Sequence, residues 1–135
     1  MPSDAQIQSI FSQFVQARQR LQEALESDSG GDLKQDAVIQ RFEFTYELLW
    51  KTFRKIARFL KSDCFTPRDS FKFAFKLGLI NDEDLFLEII DARNKTAHVY
   101  SKDDAQKIYD FIKERASAAL KGAEDTLGEY IKKQG

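Results

Sequence analysis

Histidine, cysteine, methionine and tryptophan occur once each in this chain of 135 residues, and proline occurs twice. A lone cysteine, Cys64, cannot close a disulfide within the chain, which fits a reducing cytoplasm and excludes a cysteine-built zinc site. No cofactor and no metal are therefore expected. An excess of charge of one sign is missing as well. The 21 Lys and Arg balance 22 Asp and Glu to a formal charge of -1, so total charge demands neither nucleic acid nor membrane as a partner, although a local basic cluster can still bind a phosphate chain. No apolar run approaches the length needed to span a bilayer, and Met1-Pro2-Ser3-Asp4 lacks the start of a secretory leader. The expectation is a soluble cytoplasmic protein forming one domain over residues 1–135.

What the chain does contain is helical spacing. From Asp4 to Ser27, Ile7, Ile10, Phe11, Phe14, Leu21 and Leu25 recur three or four apart, the stripe of an amphipathic helix that stops before Gly30-Gly31. A second, longer helix is expected from about Asp32 to Lys61, with Val38, Phe42, Thr45, Tyr46, Leu49, Trp50, Phe53, Ile56, Ala57 and Leu60 on its buried face. Thr66-Pro67-Arg68-Asp69 then carries a capping hydroxyl, a proline at the first helical position and an acid at the third, so a short helix should run from Pro67 to Leu77 and close on Gly78. The alternation of Phe71, Phe73 and Phe75 reads as a strand by itself; the caps favour helix. Asn81 with Asp84 marks a further start, for a helix bearing Leu85, Phe86, Ile89 and Ile90 that runs into Arg93. A final helix follows Ser101 to Asp104 and carries Ala105, Ile108, Ile112, Leu120, Ala123, Leu127 and Ile131. These elements predict an all-α fold, an antiparallel four-helix up-and-down bundle with one short additional helix. Eight of the twelve phenylalanines lie between Phe42 and Phe75, where the core should be thickest.

The lone imidazole, His98, lies in the segment Arg93-Asn94-Lys95-Thr96-Ala97-His98-Val99-Tyr100. Imidazole is the side chain whose ordinary pKa, about 6.5, suits proton exchange near neutrality. If the helix continued unbroken here, Arg93 and Tyr100 would share a face and Asn94 and His98 a neighbouring one, but Arg93 and His98 would lie about 140° apart. Either the helix loosens between them or a second copy of the chain supplies the opposing groups. Cleaving RNA without a metal needs a base for the 2′-hydroxyl, an acid for the leaving oxygen and a cation for the phosphate. One histidine serves poorly as both acid and base, so an enzyme of this composition would favour a dimeric site. On spacing alone, such residues are more often surface contacts, carbonyl caps and dipole partners of a helix end than a catalytic site.

The order Arg93, Asn94, His98, Tyr100 resembles the motif of HEPN domains, in particular those encoded beside minimal nucleotidyltransferases. Arg41 to Thr52, Thr66-Pro67-Arg68-Asp69 and Phe75 to Ile80 resemble the nucleotidyltransferase substrate-binding branch of that family, so the likeness runs through nearly the whole chain. The resemblance implies a homodimeric, metal-independent ribonuclease toxin with RNA as substrate. Its neutralising partner would be a nucleotidyltransferase antitoxin that uses ATP to AMPylate Tyr100, with no DNA and no membrane involved. It further implies that His98 transfers protons, Arg93 stabilises the phosphorane and Asn94 orients. Glu43 and Glu47, one turn apart, are placed to back the Arg93 cation or to form an ordinary solvated face. Lys51, Arg54, Lys55 and Arg58 could follow an RNA backbone or be solvated. Two other readings stand beside the nuclease: a non-catalytic substrate-binding or nucleotide-binding subunit of a two-component nucleotidyltransferase, and a bare dimerisation module.

Overall fold

The computed structural model describes the backbone of residues 2–28 and 30–134, and the side chains of 5–28 and 30–133. Every regular element among them is helical: α1 (Pro2–Glu26), α2 (Gly31–Phe59), α3 (Pro67–Lys76), α4 (Glu83–Thr96), α5 (Lys102–Phe111) and α6 (Ser117–Gln134), with a π-helical turn (Ile112–Ala116) joining the last two into one rod. Four long rods and the short α3 give the all-α bundle expected. The long α2 is the central member, packed against α1, α3, α4 and α5, while α6 returns against α1.

The aromatic residues of α2 and α3 make its centre. Phe42, Phe53 and Phe71 are completely buried, and the Phe71 ring lies 5.9 Å from Tyr46, 5.8 Å from Phe53 and 5.3 Å from Phe86. Removing one such ring from water contributes about 1.5–3 kcal/mol. The buried Thr45 and Thr52 return their hydroxyls to the carbonyls of Arg41 and Leu48, at 2.7 and 2.6 Å, so the apolar packing leaves neither donor orphaned. At the opposite side Arg18 of α1 pairs with Glu124 of α6.

Local signals account for most helix ends. Thr66 accepts the Asp69 amide at 3.1 Å with Pro67 at the first helical position, so α3 is a helix despite its alternating phenylalanines. Beyond its end Gly78 takes φ +81° and the Leu79 amide reaches back to the Ala74 carbonyl at 2.8 Å. The same 6→1 closure ends α2, from Ser62 to Ala57, but there Lys61 takes the left-handed conformation, at φ 60°.

Two expectations need correction. The cap of α4 is Asp82, not Asn81: its carboxylate accepts the Leu85 amide at 3.0 Å, and Glu83 and Asp84 then fall in the first turn, where the helix dipole favours acids. The final helix is not uniform, because a π turn interrupts it. Ile112, Ala116 and Leu120 are all fully buried, yet two steps of four residues would carry a regular helix about 80° off its starting face. The wider turn absorbs that drift. As expected, α4 runs into the Arg93 to Tyr100 segment, and of the arrangements left open there it does not continue unbroken but ends at Thr96.

Candidate functional site

The end of α4 decides how these polar groups are presented. The Thr96 hydroxyl donates to the Arg93 carbonyl at 2.7 Å and the His98 amide to the Lys95 carbonyl at 2.9 Å, so side chain and turn satisfy acceptors left over by the helix. Val99 packs its half-buried side chain against the core. Ser101 then starts α5 by accepting the Asp104 amide at 3.1 Å. Arg93 and Asn94 therefore stand on the last turn of α4, while His98 and Tyr100 stand in the corner between α4 and α5. Asn94 and His98 do not share a helical face; the helix is gone before His98 is reached.

Two small constellations result. In the first, Arg93 reaches across to α2, where its Nη1 lies 3.4 Å from the Glu43 carboxylate, and it also donates to Thr96 Oγ1 at 3.1 Å. Its Nε is buried without a partner. The buried Tyr46 lies in the same field: desolvation first, and then the neighbouring Glu47, push its phenol from 10.0 up to about 12, with Arg93 acting in the opposite sense. In the second constellation, His98 Nδ1 lies 3.3 Å from the Tyr100 hydroxyl and the rings are 6.2 Å apart. Both side chains are exposed, Tyr100 at 84% of its surface. Among the described residues no hydrogen bond connects the Arg93 group to the His98 pair.

Glu43 thus meets Arg93, whereas Glu47 turns to Lys51 at 3.6 Å and to the Trp50 indole N–H at 3.3 Å. Asn94 is exposed on the α4 surface. Sequence reasoning missed Thr96 and Tyr46. Thr96 lies three residues beyond Arg93, the reach of a helical hydroxyl, so its contact was readable in principle; Tyr46 was read only as a core position. A shallow groove lined by Asp32, Gln35, Asp36, Val99, Tyr100, Ser101, Lys102 and Ala105 flanks the corner. No described group of His, Cys, Asp and Glu could hold a metal ion, and no helix is long and apolar enough to cross a membrane. Chemically, the corner offers a fixed guanidinium, an accessible imidazole and an accessible phenol.

This helical bundle, with an Arg-Asn helix end followed by a His-x-Tyr corner, shares its fold with solved HEPN proteins. The chain belongs to the family described as nucleotidyltransferase substrate binding protein like, whose model matches residues 9–129. Among relatives, the Haemophilus influenzae protein named Probable ribonuclease HepT is 34% identical over 80 residues, 53% of each chain. The chain thus spans about half the length of that curated relative. Two solved structures share the fold. One is a mutant MntA–HepT toxin–antitoxin complex, with a TM-score of 0.75 and 19% identity over 91% of this chain and 97% of that one. The other is a tri-AMPylated Shewanella oneidensis HEPN toxin in complex with its MNT antitoxin, with a TM-score of 0.70 and 18% identity over 96% and 97%.

Proposed function

We propose that this chain is a cytoplasmic, metal-independent HEPN ribonuclease that acts as a homodimer and is silenced by a partner nucleotidyltransferase. The observation that carries the reading is the 3.3 Å contact between the only imidazole and the Tyr100 hydroxyl. It makes the group that would move protons and the group that would be modified immediate neighbours, both open to solvent. The relatives named as a ribonuclease and as an AMPylated toxin support it.

In this mechanism His98 of one copy takes the proton of a ribose 2′-hydroxyl, whose oxygen attacks the adjacent phosphorus. The bond to the 5′-oxygen breaks, and His98 of the second copy returns a proton to that leaving oxygen. The products are a 2′,3′-cyclic phosphate and a 5′-hydroxyl. Arg93, aimed by Glu43 and Thr96, faces the charge that builds on the phosphorane, and Asn94 orients the strand. Transfer of AMP from ATP to the Tyr100 oxygen, with loss of the phenol proton and release of pyrophosphate, would place a phosphodiester anion against His98 and compete for the Arg93 cation, so modified protein and bound RNA exclude one another.

The test is cleavage of single-stranded RNA in EDTA. Wild-type protein should yield cyclic phosphate ends, and His98→Ala should lose about 10²–10⁴-fold in rate, the usual worth of a positioned proton-transfer group. Unchanged cleavage by that variant sinks the assignment. Incubation with the partner enzyme and ATP should add AMP mass to wild type and none to Tyr100→Phe. The family's description favours a second reading, a nucleotide-binding subunit without turnover; it requires ATP affinity within the two-protein complex and inert RNA.

A further inference from the structure

The last three turns of α2, from Leu48 to Phe59, carry charge of one sign only. Between Glu47 and Asp63 there is no acid, and Lys51, Arg54, Lys55, Arg58 and Lys61 all fall in that interval. In a chain whose total charge is -1 this is a strong local asymmetry. Lys51 reaches Glu47 at 3.6 Å, but no acid among the described residues pairs with Arg54, Lys55, Arg58 or Lys61. Compensation of the helix dipole covers Arg58 alone, the one basic residue in the last turn.

Their placement is ordered. Measured around the helix from Glu43, Trp50 and Arg54 lie within about 20° of the same line, Glu47 at about 40°, Arg58 at about 60°, Lys51 at about 80° and Lys55 at about 120°. One stripe about 100° wide therefore carries Lys51, Arg54, Lys55 and Arg58 over roughly 10 Å, on the side of α2 that also bears the Glu43–Arg93 ion pair, and the intervening Glu47 is met by Lys51. Midway, the Arg54 guanidinium lies 4.8 Å above the Trp50 ring and its Nε is buried without a partner. Stacking of this kind holds a guanidinium flat without giving it an anionic counter-charge.

We infer that this stripe is a lane for the single-stranded flank of an RNA substrate, its phosphates read by Arg54, Lys55 and Arg58 while the scissile phosphate lies at Arg93. The inference rests on the ribonuclease reading only for where the strand starts. Three cations without acidic partners, clustered on the side of α2 that also holds Glu43 and Arg93, suit a polyanion of regular repeat. An acidic protein surface would give no reason for the cluster to lie there.

The experiment measures binding, by fluorescence anisotropy, of labelled single-stranded oligouridines of increasing length to full-length protein carrying His98→Ala. Adding Lys55→Gln and Arg58→Gln should weaken binding more as the strand lengthens, and should reduce the slope of log affinity against log salt by about 1.4, roughly 0.7 for each lost phosphate contact. The exposed pair Lys132→Gln and Lys133→Gln, on α6, should change neither quantity. An unaltered salt slope overturns the lane, as does absence of RNA binding. Intact RNA binding with a lost complex with the partner nucleotidyltransferase overturns it too, giving the surface to protein instead. Because the readout is binding, the two ideas fail separately: strand binding without turnover by wild type removes the nuclease and keeps the lane, and turnover with an unaltered slope does the reverse.

Discussion

The aromatic centre around Phe71 and the corner from Asn94 to Ser101 are built on opposite rules. At the centre, α2, α3 and α4 bring Tyr46, Phe53 and Phe86 to within 5.9 Å of one ring, and that ring has no exposed surface. In the corner, a helix stops, two polar rings face water, and a serine starts the next helix. The difference teaches that stability and presentation have been separated. Burial locks the helices that carry Arg93 and Glu43, while the groups able to meet a ligand remain solvated until it arrives. Arg93 belongs to both regions, its Nε buried and its Nη1 on Glu43.

Phe71→Ala gives the sharpest test of that separation. It should cost about 3–5 kcal/mol in denaturant unfolding, the usual range for an aromatic cavity, whereas His98→Ala should stay within about 0.5 kcal/mol because its ring is exposed. Equal costs would break the comparison. Ser101→Ala removes the α5 cap and should cost about 1 kcal/mol, with faster amide exchange in residues 101–105 and none in the middle of α2. Exchange that rises equally in both would mean that corner and centre open as one unit.

A subtler probe uses pH. The Tyr46 phenol ionises near 12 in the folded chain and near 10.0 when unfolded, so the folded state holds a proton that the unfolded state has released across that interval. Stability should therefore be full below pH 10, fall as pH rises toward 12, and fall less steeply in Tyr46→Phe, as followed by urea titration at each pH. An identical slope in the variant would mean that Tyr46 is not the desolvated group. Cys64 offers the smallest effect: burial, with Asp69 beside it, raises its thiol, so alkylation by iodoacetamide at pH 8 should be slow in the native state and fast in denaturant.

Much of the fold was legible because the signals were local. Apolar spacing identified most of the buried faces, although Leu60, expected on that of α2, lies beyond the helix end and is exposed, and Thr66, Pro67 and Gly78 outweighed the alternating phenylalanines of α3. What misled was also local in origin. Asn81 and Asp82 are both good caps one residue apart, and only the geometry chose Asp82. The π turn leaves no mark in the spacing, since two four-residue steps also suit an ordinary helix until the third layer of packing must be met. At the candidate site, the residue types were readable and their partners were not. Glu43 and Glu47 looked equivalent in the chain; in the fold one faces Arg93 and the other faces Lys51 and Trp50.

By itself, the sequence determined an all-helical chain, the faces those helices bury, and a polar segment with one imidazole, one guanidinium and one phenol, because periodicity, capping and composition act over a few residues. The tertiary structure alone decided where α4 stops, that Glu43 rather than Glu47 meets Arg93, and that His98 and Tyr100 share an exposed corner. Those outcomes depend on which helices lie beside one another and on how the chain turns between them, and such relations are set by packing across the bundle rather than by neighbours in the chain.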